Sequence, residues 1–271
     1  MIVDFHTHDF PDRIAGAALA KLENTLHTRP FTDGTRQGLL TSMNEAGIGL
    51  SVILPIATSP HQFDSILRFA AETNELYQKA EGPRLLSFAG IHPDSPDYKN
   101  ELALIAREGF KGIKLHPDFQ GVDFDDIRML RIIDRASELG LIILTHAGFD
   151  PCSPNRQFCS PDMILRVLQK TRPEKLVLAH LGSNFNYQES CEKLCGGGFY
   201  LDTAYSVGSI SEEMFAKIVR RHGADRILFA TDSPWRVQKD CVERFLSFQS
   251  ISETDKEKIL SQNALSLLEM R

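Results

Sequence analysis

The sequence lacks the features that identify membrane proteins, secreted proteins and nucleic-acid-binding proteins. No apolar run approaches the roughly 20 residues that a helix needs to cross a bilayer. Acidic side chains outnumber basic ones by 36 to 30, and the net charge of −6 is unsuited to neutralising phosphate backbones. The opening residues, MIVDFH, form a strand-like segment with no basic stretch before it, so we expect no signal peptide. These absences favour a cytoplasmic protein with a small-molecule substrate and with no nucleic-acid or membrane partner.

Cysteine and flexible linkers are also scarce. The chain has five cysteines, an odd number, in 271 residues, and a chain of this length buries a core without a disulfide framework. No Ser/Gly-rich linker or low-complexity tract divides it. Hydrophobic residues make up 42% and charged residues 24%, which excludes a disordered chain. We therefore predict one domain over residues 1–271, with homo-oligomerisation left open.

What is present is a regular alternation of short apolar runs and longer helical patterns. Eight runs have the composition of buried strands, and they recur about every 32 residues, the size of one strand-plus-helix unit. Between or after them, residues 125–139, 212–221 and 257–269 show the apolar spacing of amphipathic helices. The predicted strands are residues 2–6, 50–54, 85–90, 112–115, 141–145, 176–179, 199–201 and 227–230. The pattern predicts an α/β fold, a (β/α)8 TIM barrel, with a doubly wound open sheet as the alternative.

Polar side chains stand at the C-terminal ends of several predicted strands. His6 and His8 close the first strand with their side chains on the same face. His146, His180 and Asp232 directly follow three later strands. Barrel enzymes build their active sites at this rim, so barrel closure would bring these residues to one axial point.

Such a set has the composition of a metal site. Three imidazoles and one carboxylate suit a divalent ion of borderline softness, with zinc as the default and manganese as an alternative. An open coordination position would activate a water molecule as the nucleophile. The structural alternative is a set of core histidines bonded to backbone carbonyls, with Asp232 as a helix cap. The combination of a His-x-His pair with single polar residues at three later strand ends favours the metal site.

The segments around these residues resemble motifs of the amidohydrolase superfamily. Within it, the chain resembles the amidohydrolase-related group, which includes metal-dependent hydrolases and decarboxylases. The resemblance extends along the whole chain and implies the barrel fold, but it does not identify a substrate. The matching segments are VDFHTH (3–8), GIKLHP (112–117), THAG (145–148), AHLG (179–182), ATDSPW (230–235) and NALSLL (263–268).

The resemblance implies a role for each residue of the set. His6, His8 and His146 would be metal ligands, and Asp232 would bind the ion or the water on it. In a hydrolase, Asp232 would also take a proton from the attacking water and deliver it to the leaving group. His180 would be a catalytic histidine that polarises a substrate carbonyl, or that stabilises the intermediate from which carbon dioxide departs.

The fourth strand carries Lys114 and His116 on the same face. In two-metal relatives a lysine on this strand is carboxylated and bridges the ions, and His180 joins as a ligand. We expect one ion, because Pro117 follows His116 as it more often does in single-metal members of the group. Lys114 and His116 are then predicted substrate contacts, as is Trp235. The alternatives are a structural role for His116 and packing under the last helix for Trp235.

These residues predict a metal-dependent hydrolase that attacks a small carbonyl substrate, such as an amide, a lactone or a related ester. The alternative reaction at the same site is the non-oxidative decarboxylation of an aromatic or unsaturated carboxylic acid. A phosphodiesterase of the metal-dependent deoxyribonuclease type is a third interpretation, because GIHP at residues 90–93 resembles a motif of that branch. Lys114 stands where that branch has a glutamate, and this difference speaks against the third interpretation. A barrel that only binds a ligand is disfavoured by the complete ligand set.

Overall fold

Short parallel strands form the wall of a barrel in the computed structural model, which describes residues 1–270. The strand segments are β1 Ile2–Thr7, β2 Ile48–Ile53, β3 Arg84–Ser87, β4 Ala89–Gly90, β5 Gly112–Leu115, β6 Ile142–Thr145, β7 Leu176–Leu178, β8 Tyr200–Asp202 and β9 Ile227–Leu228. β3 and β4 are two pieces of one barrel strand, interrupted at Phe88, whose N–H donates to the carbonyl of Ile53 at 2.9 Å. The strands predicted from the sequence are therefore confirmed, with their ends shifted by a few residues.

The barrel closes where β1 meets β9. The N–H of Phe5 donates to the carbonyl of Phe229 at 2.9 Å, and the N–H of Asp232 donates to the carbonyl of His6 at 2.9 Å. An open sheet would leave the first and last strands apart, so these bonds exclude the doubly wound alternative. The predicted (β/α)8 barrel is confirmed.

Helices cover the outside of the barrel, and α6 and α9 correspond to the predicted helices at 125–139 and 212–221. They are α1 Asp12–Leu26, α2 Arg36–Ala46, α3 Phe63–Tyr77, α4 Tyr98–Arg107, α5 Pro117–Gln120, α6 Ile127–Glu138, α7 Pro161–Lys170, α8 Tyr187–Lys193, α9 Glu212–His222, α10 Gln238–Leu246, α11 Glu253–Glu257 and α12 Asn263–Leu267. A π-helical stretch, Lys258–Gln262, joins α11 to α12 within the predicted last helix. Across residues 1–270, no helix combines the length and apolar character needed to cross a membrane.

Two helices, rather than one, connect β1 to β2. α2 takes the usual crossover position and packs against β2 and α10. α1 was not predicted from the sequence. It buries only Ala15 and Leu19, and its Lys21 and Leu22 line the cavity at the mouth of the barrel. Its apolar pattern is weak because it covers this mouth rather than the hydrophobic wall.

Strand alternation divides the buried side chains between two cores. Within β6, Ile142 and Leu144 pack inside the barrel with Phe5 and Phe88, whereas Ile143 packs between the strands and the helices. Apolar side chains therefore fill the barrel interior below its C-terminal mouth. The polar residues of the strand ends stand above this apolar layer.

Gly112, the first residue of β5, permits close packing in this interior. A Cβ atom at this position would lie 2.5 Å from the carbonyl oxygen of Ile142 and 2.6 Å from Cε2 of Phe88. We expect Gly112→Ala to lower the free energy of unfolding by about 1–3 kcal/mol, because the neighbouring strand or the phenyl ring must shift. Urea-induced unfolding measures this change.

Gly16→Ala is the matched control, because Gly16 lies in α1 and nothing is within 4 Å of a Cβ built on it. We expect it to leave stability unchanged or to raise it slightly, since alanine favours the helix. An unfolding midpoint for Gly112→Ala equal to that of the unsubstituted protein would contradict the packing argument.

Candidate metal centre

Potential metal ligands form two groups at the C-terminal mouth of the barrel. The first group is His6, His8 and Asp232, and the second group is His116, His146 and Asp150. Within each group, one ligand atom of every residue lies within 4.8 Å of the others. The structure therefore brings three of the predicted ligands together and places the fourth, His146, in the second group.

Closure of the barrel creates the first group. Alternation along the chain places His6 and His8 on the same face. The hydrogen bond from the N–H of Asp232 to the carbonyl of His6 holds the aspartate beside them. Oδ1 of Asp232 lies 3.2 Å from Nε2 of His8 and 3.6 Å from Nε2 of His6. Ligands of a tetrahedral ion with bonds of about 2.1 Å stand about 3.4 Å apart, so these three atoms fit one divalent ion.

Hydrogen bonds behind the two imidazoles direct their Nε2 atoms toward the mouth. Nδ1 of His6 donates to Oδ2 of Asp202 at 2.8 Å, and Nδ1 of His8 donates to the carbonyl of Leu54 at 2.9 Å. Each Nε2 therefore carries a lone pair, which is the form that binds a metal. Asp202, the last residue of β8, was missed by the sequence analysis, although a carboxylate at a strand end was the available signal.

The charges of the first group suit a cation. Burial, followed by the nearby charge of Lys114, lowers the pKa of His6 well below its usual value, so the imidazole is neutral. Burial raises the pKa of Asp232, but the neighbouring histidines, His6 first, outweigh it and hold that pKa well below its usual range. Imidazole nitrogens beside an ionised carboxylate are a donor set for zinc or manganese.

Lys114 lies beside the first group and is buried. Its Nζ is 3.0 Å from Nε2 of His6 and donates to the lone pair of that atom. Burial lowers the pKa of Lys114 to about 8, although Asp202 and Asp232 oppose this shift. The His6 lone pair thus already faces a positive charge. Carboxylation of Lys114 in a two-metal centre stays a prediction.

The second group is built around two stacked imidazoles, His116 and His146, whose ring centroids are 4.4 Å apart. Oδ2 of Asp150 lies 3.6 Å from Nε2 of His116 and 3.8 Å from Nε2 of His146. Oδ2 of Asp118, in α5, lies 3.9 Å from the same His146 nitrogen. The sequence analysis missed Asp118 and Asp150, because each follows a strand by a few residues and neither stands at the strand end itself.

His180 connects the two groups. Its Nδ1 donates to the carbonyl of Ala204 at 2.9 Å, and its Nε2 accepts a hydrogen bond from Nδ1 of His146 at 3.0 Å. Its backbone N–H donates to Oδ1 of Asp202 at 2.9 Å, and the same carboxylate orients His6. Both ring nitrogens of His180 therefore have partners in the protein, and the two-metal alternative would require His180 to give one up.

Both groups open into one cavity of about 540 Å³. This volume lies within the range of roughly 300–1,000 Å³ that small-molecule sites occupy. The predicted substrate contacts Lys114, His116 and Trp235 all line it. Its aromatic lining residues are Phe10, Phe119, Phe185, Tyr205 and Trp235.

Solved structures match this fold over nearly their whole length. A 2,6-dihydroxybenzoate decarboxylase in complex with 2,6-dihydroxybenzoate has a TM-score of 0.74 at 18% identity, with 99% of each chain covered. A dihydroxybenzoic acid decarboxylase from Polaromonas sp. JS666, with bound manganese and the inhibitor 2-nitroresorcinol, has a TM-score of 0.71 at 16% identity, covering 99% of this chain and 96% of its own. An uncharacterized TIM-barrel protein from Bordetella bronchiseptica has a TM-score of 0.77 at 18% identity, with 99% and 98% covered. At these identities the likeness establishes the fold.

The family is established by sequence. No curated protein matches the chain at a significant level. The amidohydrolase family model Amidohydro_2, in contrast, matches residues 3–270, a span that includes both ligand groups. The protein therefore belongs to the amidohydrolase family, as its motifs implied, and is a metal-dependent enzyme of that superfamily.

Proposed function

We propose that the protein is a metal-dependent, non-oxidative decarboxylase of a small hydroxylated aromatic carboxylic acid. The observation that carries this proposal is the cavity, whose lining includes five aromatic side chains together with the first group and the buried ammonium of Lys114. Aromatic walls suit an aromatic ring, and the positive charge suits its carboxylate. Two of the structurally similar proteins are decarboxylases of dihydroxybenzoic acids, which supports the same class of reaction.

A divalent ion at the first group would be held by His6, His8 and Asp232, and the sequence predicts His146 as a further ligand. When bound, the ion supplies positive charge that polarises the oxygen atoms of the substrate. Zinc and manganese both suit the imidazole and carboxylate donors. The manganese bound in one similar structure supports manganese as an equal candidate beside the predicted zinc.

Asp232 is the residue placed to move a proton. As an ionised carboxylate it can take the hydrogen of a ring hydroxyl and give it to the ring carbon that bears the substrate carboxylate. The bond from this carbon to the carboxylate carbon then breaks, its electron pair returns to the ring, and carbon dioxide leaves. The resulting phenolate takes a proton from solvent, so the net change replaces the carboxylate with hydrogen.

Lys114 and His180 act on the charges of the substrate. Lys114, buried beside His6, can hold the substrate carboxylate by charge attraction until the carbon–carbon bond breaks. His180 lines the same cavity, and its predicted catalytic role is to stabilise negative charge that develops on the substrate; this role requires its Nε2 to leave Nδ1 of His146 and to carry a proton. The carbonyl of Ala204 fixes the orientation of its ring for this role.

Hydrolysis of a small amide, lactone or ester, the main prediction from the sequence, is the second candidate. The ionised Asp232 favours it, because the same carboxylate can take a proton from water and pass it to a leaving group. The aromatic walls of the cavity favour decarboxylation, since a small amide or lactone does not require them.

Carbon dioxide release distinguishes the two reactions. We expect the protein loaded with Mn²⁺ or Zn²⁺ to release carbon dioxide from 2,6-dihydroxybenzoate or a related hydroxybenzoate. Chelation should abolish this release until the metal is restored. Asp232→Asn should lower kcat by about 10²–10⁴-fold, because this is the usual contribution of a general acid–base group.

The control for this experiment is Asp94→Asn, which removes an exposed ion pair with Arg128 and should leave kcat unchanged. Turnover of lactones or amides by the metal-loaded protein, without carbon dioxide release from any aromatic acid, would overturn the proposal in favour of hydrolysis.

Asp202→Asn tests the orientation of His6. The neutral asparagine amide has one acceptor oxygen and no charge, whereas the carboxylate has two oxygens that share a negative charge. The substitution therefore weakens the hydrogen bond that fixes the tautomer of His6. We expect the affinity of the first group for Mn²⁺ to fall by about 10–100-fold, measured by isothermal titration calorimetry. Asp94→Asn again serves as the control, and an affinity for Asp202→Asn equal to that of the control would rule out this orienting role.

A further inference from the structure

We infer that the substrate carries a second carboxylate, remote from the one that is lost, and that Lys21 of α1 binds it. The inference rests on the proposed function, because it takes the substrate to be an aromatic acid whose reacting carboxylate lies beside Lys114. It adds a specificity-determining residue on a helix that contributes to neither ligand group. Its basis is the place of Lys21 in the fold, the size of the cavity and the lack of a protein partner for this ammonium within residues 1–270.

One face of α1 forms a wall of the cavity. Four residues of this helix line the cavity at helical spacing, which is i, i+3, i+4 and i+7, and they are Ala18, Lys21, Leu22 and Thr25. The two buried residues of the helix, Ala15 and Leu19, anchor it. Leu19 packs against Gly34, where a Cβ atom would lie 2.8 Å from Cδ1 of Leu19. The packing of α1 therefore sets the position of Lys21 at the cavity.

The cavity is larger than an acid with a single ring requires. Its volume is about 540 Å³, whereas an apolar cavity of about 150 Å³ holds benzene. A hydroxybenzoate adds only a carboxylate and one or two hydroxyl groups to such a ring, so it would leave a large part of the cavity empty. Because the wall formed by α1 belongs to neither ligand group, the space beside this wall can hold a further part of the substrate.

Besides histidines, the basic side chains that line this cavity are Lys21 and Lys114. Lys114 is buried beside His6, and the proposed reaction assigns it to the carboxylate that is lost. Lys21 is exposed, and the flexible stem of a lysine lets its ammonium reach an anion beside α1. A substrate with two carboxylates would therefore find one ammonium for each of them.

Lys21 has no carboxylate partner among the residues that the structure describes. The helix offers none, because the residues three and four positions away from Lys21 are Ala17, Ala18, Asn24 and Thr25. The lysines that do form ion pairs with carboxylates are Lys175, Lys193, Lys239, Lys256 and Lys258. The ammonium of Lys21 is thus free to bind an anionic group of a ligand.

The neighbours of Lys21 on this wall cannot replace it as a donor to an anion. Ala18 and Leu22 are apolar, and they suit the carbon atoms that connect the two carboxylates of the substrate. The hydroxyl of Thr25 donates to the backbone carbonyl of Lys21 at 2.9 Å, so it is directed at the helix. The substrate class is therefore a hydroxylated aromatic acid that bears a second carboxylate on the far side of the ring or on a short chain there.

Isothermal titration calorimetry of the full-length protein loaded with Mn²⁺ tests the inference with matched ligands. The first pair is 2-hydroxyterephthalate and its isosteric amide, 4-carbamoyl-2-hydroxybenzoate. In the second pair, two methylene groups separate the carboxylate or the amide from the ring. We expect the carboxylate of at least one pair to bind about three- to fivefold more tightly than its amide, the upper range for an exposed ion pair. Lys21→Met should remove this preference, Lys21→Arg should keep it and Lys21→Glu should reverse it.

Lys99→Met is the matched control, because Lys99 is an exposed lysine of α4 that is not part of the cavity lining, and it should leave the preference unchanged. Equal affinity for carboxylate and amide in both pairs, or a preference that survives Lys21→Met, would overturn the inference. A preference that depends on Lys21, without carbon dioxide release from any aromatic acid, would support the inference and overturn the proposed reaction alone. Failure of all four ligands to bind would overturn both.

Discussion

The seam between the first and last strands is the constraint on which the site depends. Asp4, buried in β1, accepts hydrogen bonds from the N–H of Thr231 at 2.9 Å, the hydroxyl of Thr231 at 2.5 Å and the side-chain amide of Gln238 at 2.7 Å. Burial raises the pKa of Asp4 to about 6, and these donors oppose that rise. The bonds fasten the segment after β9 and the start of α10 to β1. Asp232 adjoins this segment, so the first group exists only while the seam is closed.

Above the seam, hydrogen bonds to Nδ1 orient the imidazoles of His6, His8 and His180. This arrangement determines what the mouth of the barrel can bind. Asp202 receives the Nδ1 hydrogen of His6, in the first group, and the backbone N–H of His180, whose ring bonds His146 of the second group. Nε2 of His6 then faces the carboxylate of Asp232, and Nε2 of His146 faces those of Asp118 and Asp150. Because such a mouth contains many acceptors and a single buried ammonium, Lys114, it is electrostatically suited to divalent cations and to substrates that carry hydroxyl hydrogens.

The sequence predicted most of the barrel because buried parallel strands are nearly continuous apolar runs, as in β6, and because these runs recur at one spacing. It predicted His6, His8 and Asp232 because they interrupt or end such runs. It did not predict α1, whose partner is the cavity mouth and not the apolar wall. Asp118 and Asp150 were missed for a related reason, since an aspartate in a loop or a short helix has the same local pattern as one exposed to water.

By itself, the sequence determined the strand period, the strand parity that points His6 and His8 the same way, and the family to which the motifs belong. These properties are local, and backbone geometry translates them directly into structure. Only the tertiary structure decided that His146 stands with Asp118 and Asp150 and that Asp202 holds both the imidazole of His6 and the backbone N–H of His180. Such pairings depend on which loops meet when the barrel closes, and no local pattern contains the distance between two loops that are far apart in the chain.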